Sequence, residues 1–391
     1  MANTNLTVDM ITNEALRVLH EKLTFVGTIN RSYDNSHAQE GGKAGSALRI
    51  RLPNQFTVAD GAAISTQDVT TESVTLTTAT QKHVAMTFTT AELTQDLNDF
   101  SRDYIAPAMA SLASAVESDA INMTKEVYQS VGTPGTVPAT LLPYLQARTK
   151  LNQALANKDD KRCIQTDSGA SAVIVNALNG LFHDSAQVAK QYREGYMGRS
   201  AGFDWHENDR GYVHTNGADV AGAVNDASAA TGASTLIVDG FTAALAVGSV
   251  FTIAGVLDVH QETKVAYTHE KQFVVTAATT TLVTFSPTLH SSGARQNVDS
   301  LPADNAAVTA LGSASTSYAQ NLAYHKDAFA FATGDLVMPE SVDFAARKQF
   351  DGISLRIVRQ YDIATDKIPC RIDILYGYKA IRPELACRIT S

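Results

Sequence analysis

The most constraining feature of the chain is an unbroken apolar stripe between Asp103 and Val131. It runs Ile105, Met109, Leu112, Val116, Ala120, Met123 and Val127, with steps of 4, 3, 4, 4, 3 and 4. Those steps follow one face of an α-helix. They predict a single helix of about 25–28 residues, about 40 Å long at 1.5 Å per residue. Pro107 falls near the first turn, where a missing N–H costs little. The many Ala and Ser neighbours let such a helix pack closely on a sheet. A chain with this element is not all-β, so the flanking segments decide its class.

Upstream, residues 6–26 carry a helical pattern through Leu6, Met10, Ile11, Leu16, Leu19 and Leu23. Glu40-Gly-Gly-Lys-Ala-Gly45 is too glycine-dense for a helix or a strand interior. Residues 1–39 therefore read as an arm that packs on something else, and 40–46 as a flexible lead-in. Leu48, Ile50 and Leu52 alternate with Arg49 and Arg51, and Val84, Met86 and Phe88 alternate again. Between them, Pro53 to Glu72 holds few large apolar residues. The spacing predicts a long projecting β-hairpin that finds its burial on a neighbour. Thr89-Thr-Ala-Glu92 has the form of a capping box and predicts a short helix to about Asn98.

Downstream, 132–138 is a Gly- and Pro-rich break, followed by helices predicted over Leu141–Ala156 and Ser168–Phe182, with Cys163-Ile-Gln-Thr as a short buried strand between them. From 222 to 300 helical periodicity is absent. Strand-like runs at Thr235–Val238, Ser249–Ala254, Gln272–Thr276 and Thr281–Phe285 predict a small all-β domain, Greek-key or barrel-like. Small polar stretches bound it, as suits an insertion. Strands at Ala328–Ala332, Ile353–Val358, Cys370–Tyr376 and Leu385–Ile389 must then return to the α/β body. The class expected is α+β.

Composition removes several functions. A net charge of −9 with one Trp and 7% aromatics does not suit a basic or base-stacking nucleic-acid binder. Cys163, Cys370 and Cys387 form neither a C-x-x-C pair nor a disulfide framework, which points to a reducing compartment. The first residues lack the basic and apolar regions of a secretory signal, and no window reaches the ~18 apolar residues of a membrane span. Gly41-Gly-Lys-Ala-Gly-Ser lacks phosphate-loop spacing, and the ten histidines form no H-x-x-x-H pair, so no cofactor or metal is expected. Gly198-Arg-Ser-Ala-Gly202 matches G-x-S-x-G, but a nucleophile elbow needs a strand before Ser200 and a helix after it. Phe203-Asp-Trp-His-Glu is not helical, so a turn is expected there. Glu117, Asp119 and Glu126 read as a solvated helix face rather than an acid/base pair. No catalytic residue is assigned.

The order of arm, Gly-rich lead-in, hairpin, long helix, α/β region and β insertion ends in 356–389, which holds Arg356-Ile-Val-Arg-Gln-Tyr-Asp-Ile and Tyr376-Gly…Arg382-Pro-Glu384. It resembles the major capsid proteins of tailed double-stranded DNA phages, the Hong Kong 97-like fold. Gly198-Arg-Ser-Ala-Gly-Phe-Asp204 and Phe251-Thr-Ile-Ala-Gly-Val256 with Gln272-Phe-Val-Val-Thr276 are similar to the coat proteins of Salmonella podophages, which carry an inserted β-barrel. The resemblance implies an N-arm (1–39), an extended hairpin loop (40–88) and a peripheral domain with a spine helix (89–132). It also implies an axial domain (133–222), an inserted barrel (223–300), shared axial and peripheral strands (301–377) and a C-terminal peripheral strand (378–391). The implied function is self-assembly, as hexamers and pentamers, into an icosahedral procapsid and then an expanded head. Implied partners are other copies, a scaffolding protein, a portal protein and weakly held packaged DNA, with no membrane. Assembly would take place in the host bacterial cytoplasm and the product would be the virion. Candidate inter-subunit contacts are Arg49, Arg51, Glu72 and Lys82 on the hairpin and Leu16 and Leu19 on the arm. The insertion would support folding. An encapsulin-like compartment and, more remotely, a hydrolase using Ser200 are the alternatives; a tail or fibre β protein conflicts with the long helix.

Overall fold

A computed structural model describes residues 23–32, 47–58, 71–89, 106–177, 198–226, 229–340, 342–350 and 353–391, with isolated residues between 61 and 69. The predicted arm up to residue 22, the Gly-rich lead-in, the short helix after Thr89 and the end of the Ser168–Phe182 helix lie outside these residues. The helices are α1 (Phe25–Thr28), α2 (Ala106–Ile121), α3 (Leu142–Gln153) and α4 (Ser168–Ala177). The strands to residue 215 are β1 (Ala47–Arg51), β2 (Ser73–Thr77), β3 (Thr80–Thr89), β4 (Ser130–Val131), β5 (Arg162–Thr166), β6 (Arg199–Ser200), β7 (Phe203–Glu207) and β8 (Tyr212–Thr215). Next come β9 (Ala221–Val224), β10 (Thr235–Asp239), β11 (Val250–Val259), β12 (Ala266–Ala278), β13 (Leu282–Ser286) and β14 (Ala307–Ala310). The last are β15 (Ser317–His325), β16 (Phe329–Gly334), β17 (Phe344–Phe350), β18 (Ile353–Arg359), β19 (Lys367–Ala380) and β20 (Ala386–Thr390).

The chain forms two compact units. The first holds α1, α2 and the five-stranded sheet β16-β19-β18-β17, in which β3 also pairs with β19. That last pairing changes the hairpin expectation. β1 pairs with β2, whereas β3 runs antiparallel to β19 over ten register pairs, from Lys367↔Thr89 to Tyr376↔Thr80. The alternation of Val84 and Met86 therefore belongs to a sheet. The hairpin ends at β2.

The stripe helix is real but shorter than predicted. α2 gives way to a 3-10 turn at Asn122–Glu126, and Val127 is extended. Met123 and Val127 are still buried, because a step of three suits a 3-10 turn as well as an α-helix. Ser130-Val131 then becomes β4, parallel to β20. Glu117 is not on a solvated face either. It is fully buried, and its carboxylate accepts from the Thr24 hydroxyl (3.0 Å) and from the backbone N–H groups of Phe25 and Val26, so it caps the free amides of α1. Asp119 accepts from the Tyr376 hydroxyl (2.5 Å) and pairs with Lys82 (2.7 Å), which fixes α2 over β19 and β3.

The second unit holds a seven-stranded sheet, β4-β20-β15-β5-β7-β6 with β8 beside β15, and a closed six-stranded barrel. β5 and β20 are buried along their whole length. The barrel closes in the order β10-β13-β12-β11-β14-β9. Its strands run from Ala221 to Ala310, beyond the 223–300 expected, because its last strand is the short Ala-Val-Thr-Ala of β14. Inside, Phe251, Phe273 and Phe285 pack with ring centroids 5.2–5.9 Å apart among buried Val, Leu and Ile. The interior is a packed core.

Candidate assembly surfaces

Three places in the fold bear on what the chain does: the loop between β1 and β2, the root of the barrel, and the turn that carries Ser200.

The β1–β2 loop is closed at its base by the Leu52 amide donating to the Glu72 carbonyl (2.9 Å). Higher up, the Thr57 amide donates to the Gln67 side chain (2.9 Å), which returns a bond to the Thr57 carbonyl. Beyond these bonds the loop presents apolar side chains to solvent: Phe56 is 60% exposed, Val58 95%, Ile64 94% and Val69 53%. Four exposed apolar residues on one loop make it a candidate interaction surface, although others, such as Leu142, Val213, Val337 and Ile363, are exposed elsewhere. Phe56, Val58 and Ile64 carry no pattern in a polar, aperiodic stretch, and Val69 reads only as part of a Thr-rich strand-like run with Val74 and Leu76.

Arg49 and Arg51 lie exposed on β1 on either side of the buried Ile50. Neither has an ion-pair partner among the described residues. Glu72 pairs with Arg295 beside the barrel, and Lys82 pairs with Asp119. Leu16 and Leu19 lie outside the described residues. A groove of about 670 Å³ separates the loop from the foot of the barrel. It is lined by Leu52, Phe56, Tyr128, His290, Arg295 and Glu384, among others.

The barrel is joined to the sheet by two links, 216–220 and 311–316. The Asn216 side chain donates to the carbonyls of Leu311 (2.9 Å) and Ser313 (3.1 Å), so one residue of the incoming link holds the outgoing one. Gln272 of β12 and Ser130 of β4 exchange two bonds, at 2.8 and 2.9 Å. Arg388 of β20 is buried and donates to the carbonyls of Gly248 (2.7 Å) and Lys125 (2.8 Å). Burial lowers its guanidinium to about 10, still far above neutrality. On the barrel wall burial alone would raise the Asp258 carboxyl. His269 and Lys271 outweigh it and hold Asp258 at about 2. The Lys271 ammonium lies 2.7 Å from Asp258 and 5.3 Å from the centre of the Tyr128 ring.

Ser200 sits at the end of β6 in a tight hairpin to β7. Ala201 (φ 53°) and Gly202 (φ 85°) form its two-residue turn, and both have the positive φ of a type I′ turn. The strand-to-helix geometry of a nucleophile elbow is not there. Among the described residues no group of three or more His, Cys, Asp or Glu is placed to hold a metal. The three cysteines are free and buried, and burial pushes the thiols of Cys163 and Cys387 up to about 12, so they are unreactive at neutral pH.

Residues 212–388 match the family model described as P22 coat protein. The matched stretch contains the whole barrel and the sheet strands β15 and β19 that follow it. The match takes in a little under half of the chain, and that part, barrel included, is similar to a phage coat protein. The fold of the described residues is α+β with a closed barrel inserted in it. Solved structures of similar overall form include Mycobacterium phage Che8 (11% identity, TM-score 0.46, 94% of this chain and 90% of that one). The capsid of Ralstonia phage GP4 is another (7% identity, TM-score 0.46, 89% and 84%). A virus-like particle from Pyrococcus furiosus is a third (8% identity, TM-score 0.40, 98% and 98%). No curated protein matches the chain. Among the described residues no helix is long and apolar enough to cross a membrane.

Proposed function

We propose that this chain is the major capsid protein of a tailed phage, self-assembling into an icosahedral head, and that it joins copies into hexamers and pentamers by laying its β1–β2 loop over a neighbouring subunit. The observation that carries this is the set of exposed apolar side chains on the loop: Val58 and Ile64 are almost wholly exposed, and Phe56 and Val69 more than half. Arg49 and Arg51 stand exposed at the loop's base, available to acidic groups of the neighbour. Glu72 and Lys82 would have to exchange their present partners to take part. Leu16 and Leu19 of the arm would add a second apolar contact. On this reading the loop (within 40–88), the spine-helix region (89–132), the axial region (133–222) and the shared strands after the barrel are working parts of one subunit. Assembly in the host cytoplasm on a scaffolding protein, with a portal protein at one vertex, completes the proposal. A net charge of −9 supports only weak, non-specific contact with packaged DNA, since tight binding needs cationic groups to displace counterions.

Deleting residues 54–70 tests the reading. Co-expressed with a scaffolding partner, the full chain is expected to give shells by negative-stain microscopy. The deleted chain is expected to give soluble subunits or small oligomers. Shells of normal number and size from the deleted chain would refute the loop assignment.

A further inference from the structure

His214, on β8, lies at the point where the barrel meets the sheet. Its ring is buried, and both nitrogens are engaged: Nδ1 with the Tyr212 hydroxyl (3.1 Å) and Nε2 with the Ser249 hydroxyl (3.0 Å). Ser249 Oγ also lies 3.5 Å from Asn216 Oδ1, to which it donates, and Asn216 is the residue that ties the two links together. The charged group facing the ring is Arg388, whose guanidinium holds the carbonyl of Gly248, the residue before Ser249. Packing there is close: a methyl group at Gly248 would meet the Tyr212 hydroxyl at 3.1 Å, Lys125 Cβ at 3.2 Å and His214 Nδ1 at 3.5 Å. Across the strand pair stands Tyr318, whose hydroxyl accepts from the Ser313 amide (2.7 Å). A neutral imidazole satisfies both hydroxyl partners, since each can donate or accept. An imidazolium would be a second buried cation beside Arg388, offset only in part by the Asn216 side chain.

We propose that the barrel root is a proton-operated clamp: charging of the buried His214 ring beside the Arg388 guanidinium opens the root and frees links 216–220 and 311–316, while the barrel's own core stays closed. The core is a separate apolar cluster and contains no titratable group. The clamp acts in a defined range. Burial and then Arg388 lower His214 to about 4, whereas a solvated imidazole titrates near 6.5. The closed form therefore binds its proton later than the open form, and opening is favoured as pH falls through that interval. The other ionisable groups around the ring are Tyr212, which burial pushes up, Arg388, at about 10, Tyr318 and Lys125; His214 is the imidazole among them. The inference concerns the junction alone and does not depend on how copies assemble.

Hydrogen exchange on the full chain tests it. The amides of Asn216 and Ser315 close the links, by bonds to the carbonyls of Thr316 and Gly217. The amides of Val238 and Phe285 lie inside the barrel. Between pH 7.5 and 5, with intrinsic exchange rates corrected, linkage predicts about a 30-fold loss of protection at the link amides. Little change is expected at Val238 and Phe285. In His214→Gln the pH-dependent loss at the links is expected to vanish. A loss of the same size in His214→Gln, or an equal loss in the barrel, would overturn the proposal. Should that variant fail to fold, histidine-selective NMR of the unmodified chain decides: a His214 ring midpoint below 5 supports the clamp, and one at 6 or above refutes it.

Discussion

At the scale of single residues, the most consequential side chains are buried charges, and each has a specific partner set. Glu117 satisfies two backbone amides and a hydroxyl. Glu117→Ala leaves those donors without an acceptor in a closed site. It is expected to destabilise the chain by about 2–3 kcal/mol, read as a shifted urea midpoint with unchanged slope. Asp258 gives a pH signature of a different kind. Its carboxyl is held at about 2, below its unfolded value near 4, so its contribution is complete above pH 4 and fades as pH falls from about 4 to about 2. Asp258→Asn is expected to remove that acid limb from a plot of stability against pH. It also leaves the buried Lys271 unpaired, at a cost of about 3 kcal/mol at neutral pH. Neither role could be read from the sequence. Glu117 sits on a helix whose polar residues read as a solvated face, and only the chain at 24–26, ninety residues away in sequence, makes it a cap.

Among elements, the pattern of legibility is sharper. The long helix, the strands of the barrel and the terminal strands all announce themselves by period, since burial of one face imposes a spacing that the sequence must keep. Boundaries and partners do not. The stripe through Met123 and Val127 continues past the end of α2 because a 3-10 turn and an extended residue bury the same positions. β3 was assigned to a hairpin because it alternates. Its partner β19 lies nearly three hundred residues away, and alternation is the same whichever strand pairs. β15 and β17 were missed; β15 is buried over most of its length and so does not alternate. A prediction belongs to this pairing. A Cβ on Gly377 of β19 would stand 2.2 Å from the Thr77 carbonyl oxygen, which is backbone and cannot swing aside. Gly377→Ala is therefore expected to cost about 1–3 kcal/mol, measured by thermal or urea unfolding. An unchanged midpoint would mean that this approach is not as close as described.

For the whole molecule, the proposed assembly and the fold draw on different surfaces. The deletion of 54–70 should abolish shells yet leave the midpoint of thermal unfolding within a few degrees. The large apolar residues it removes, Phe56, Val58, Ile64 and Val69, bury little within the chain. A large fall in that midpoint would show that the loop supports its own subunit instead. The amino-acid order by itself determined the class of the fold, the long helix, an inserted all-β domain and the resemblance to tailed-phage capsid proteins, because periodic burial and local turn chemistry are written residue by residue. Only the tertiary structure decided that β3 belongs to a sheet, that the barrel closes through β14, that Glu72 and Lys82 already have partners, and that His214 stands between two links beside Arg388. Those facts depend on which distant segments meet, and nothing local to either segment encodes the meeting.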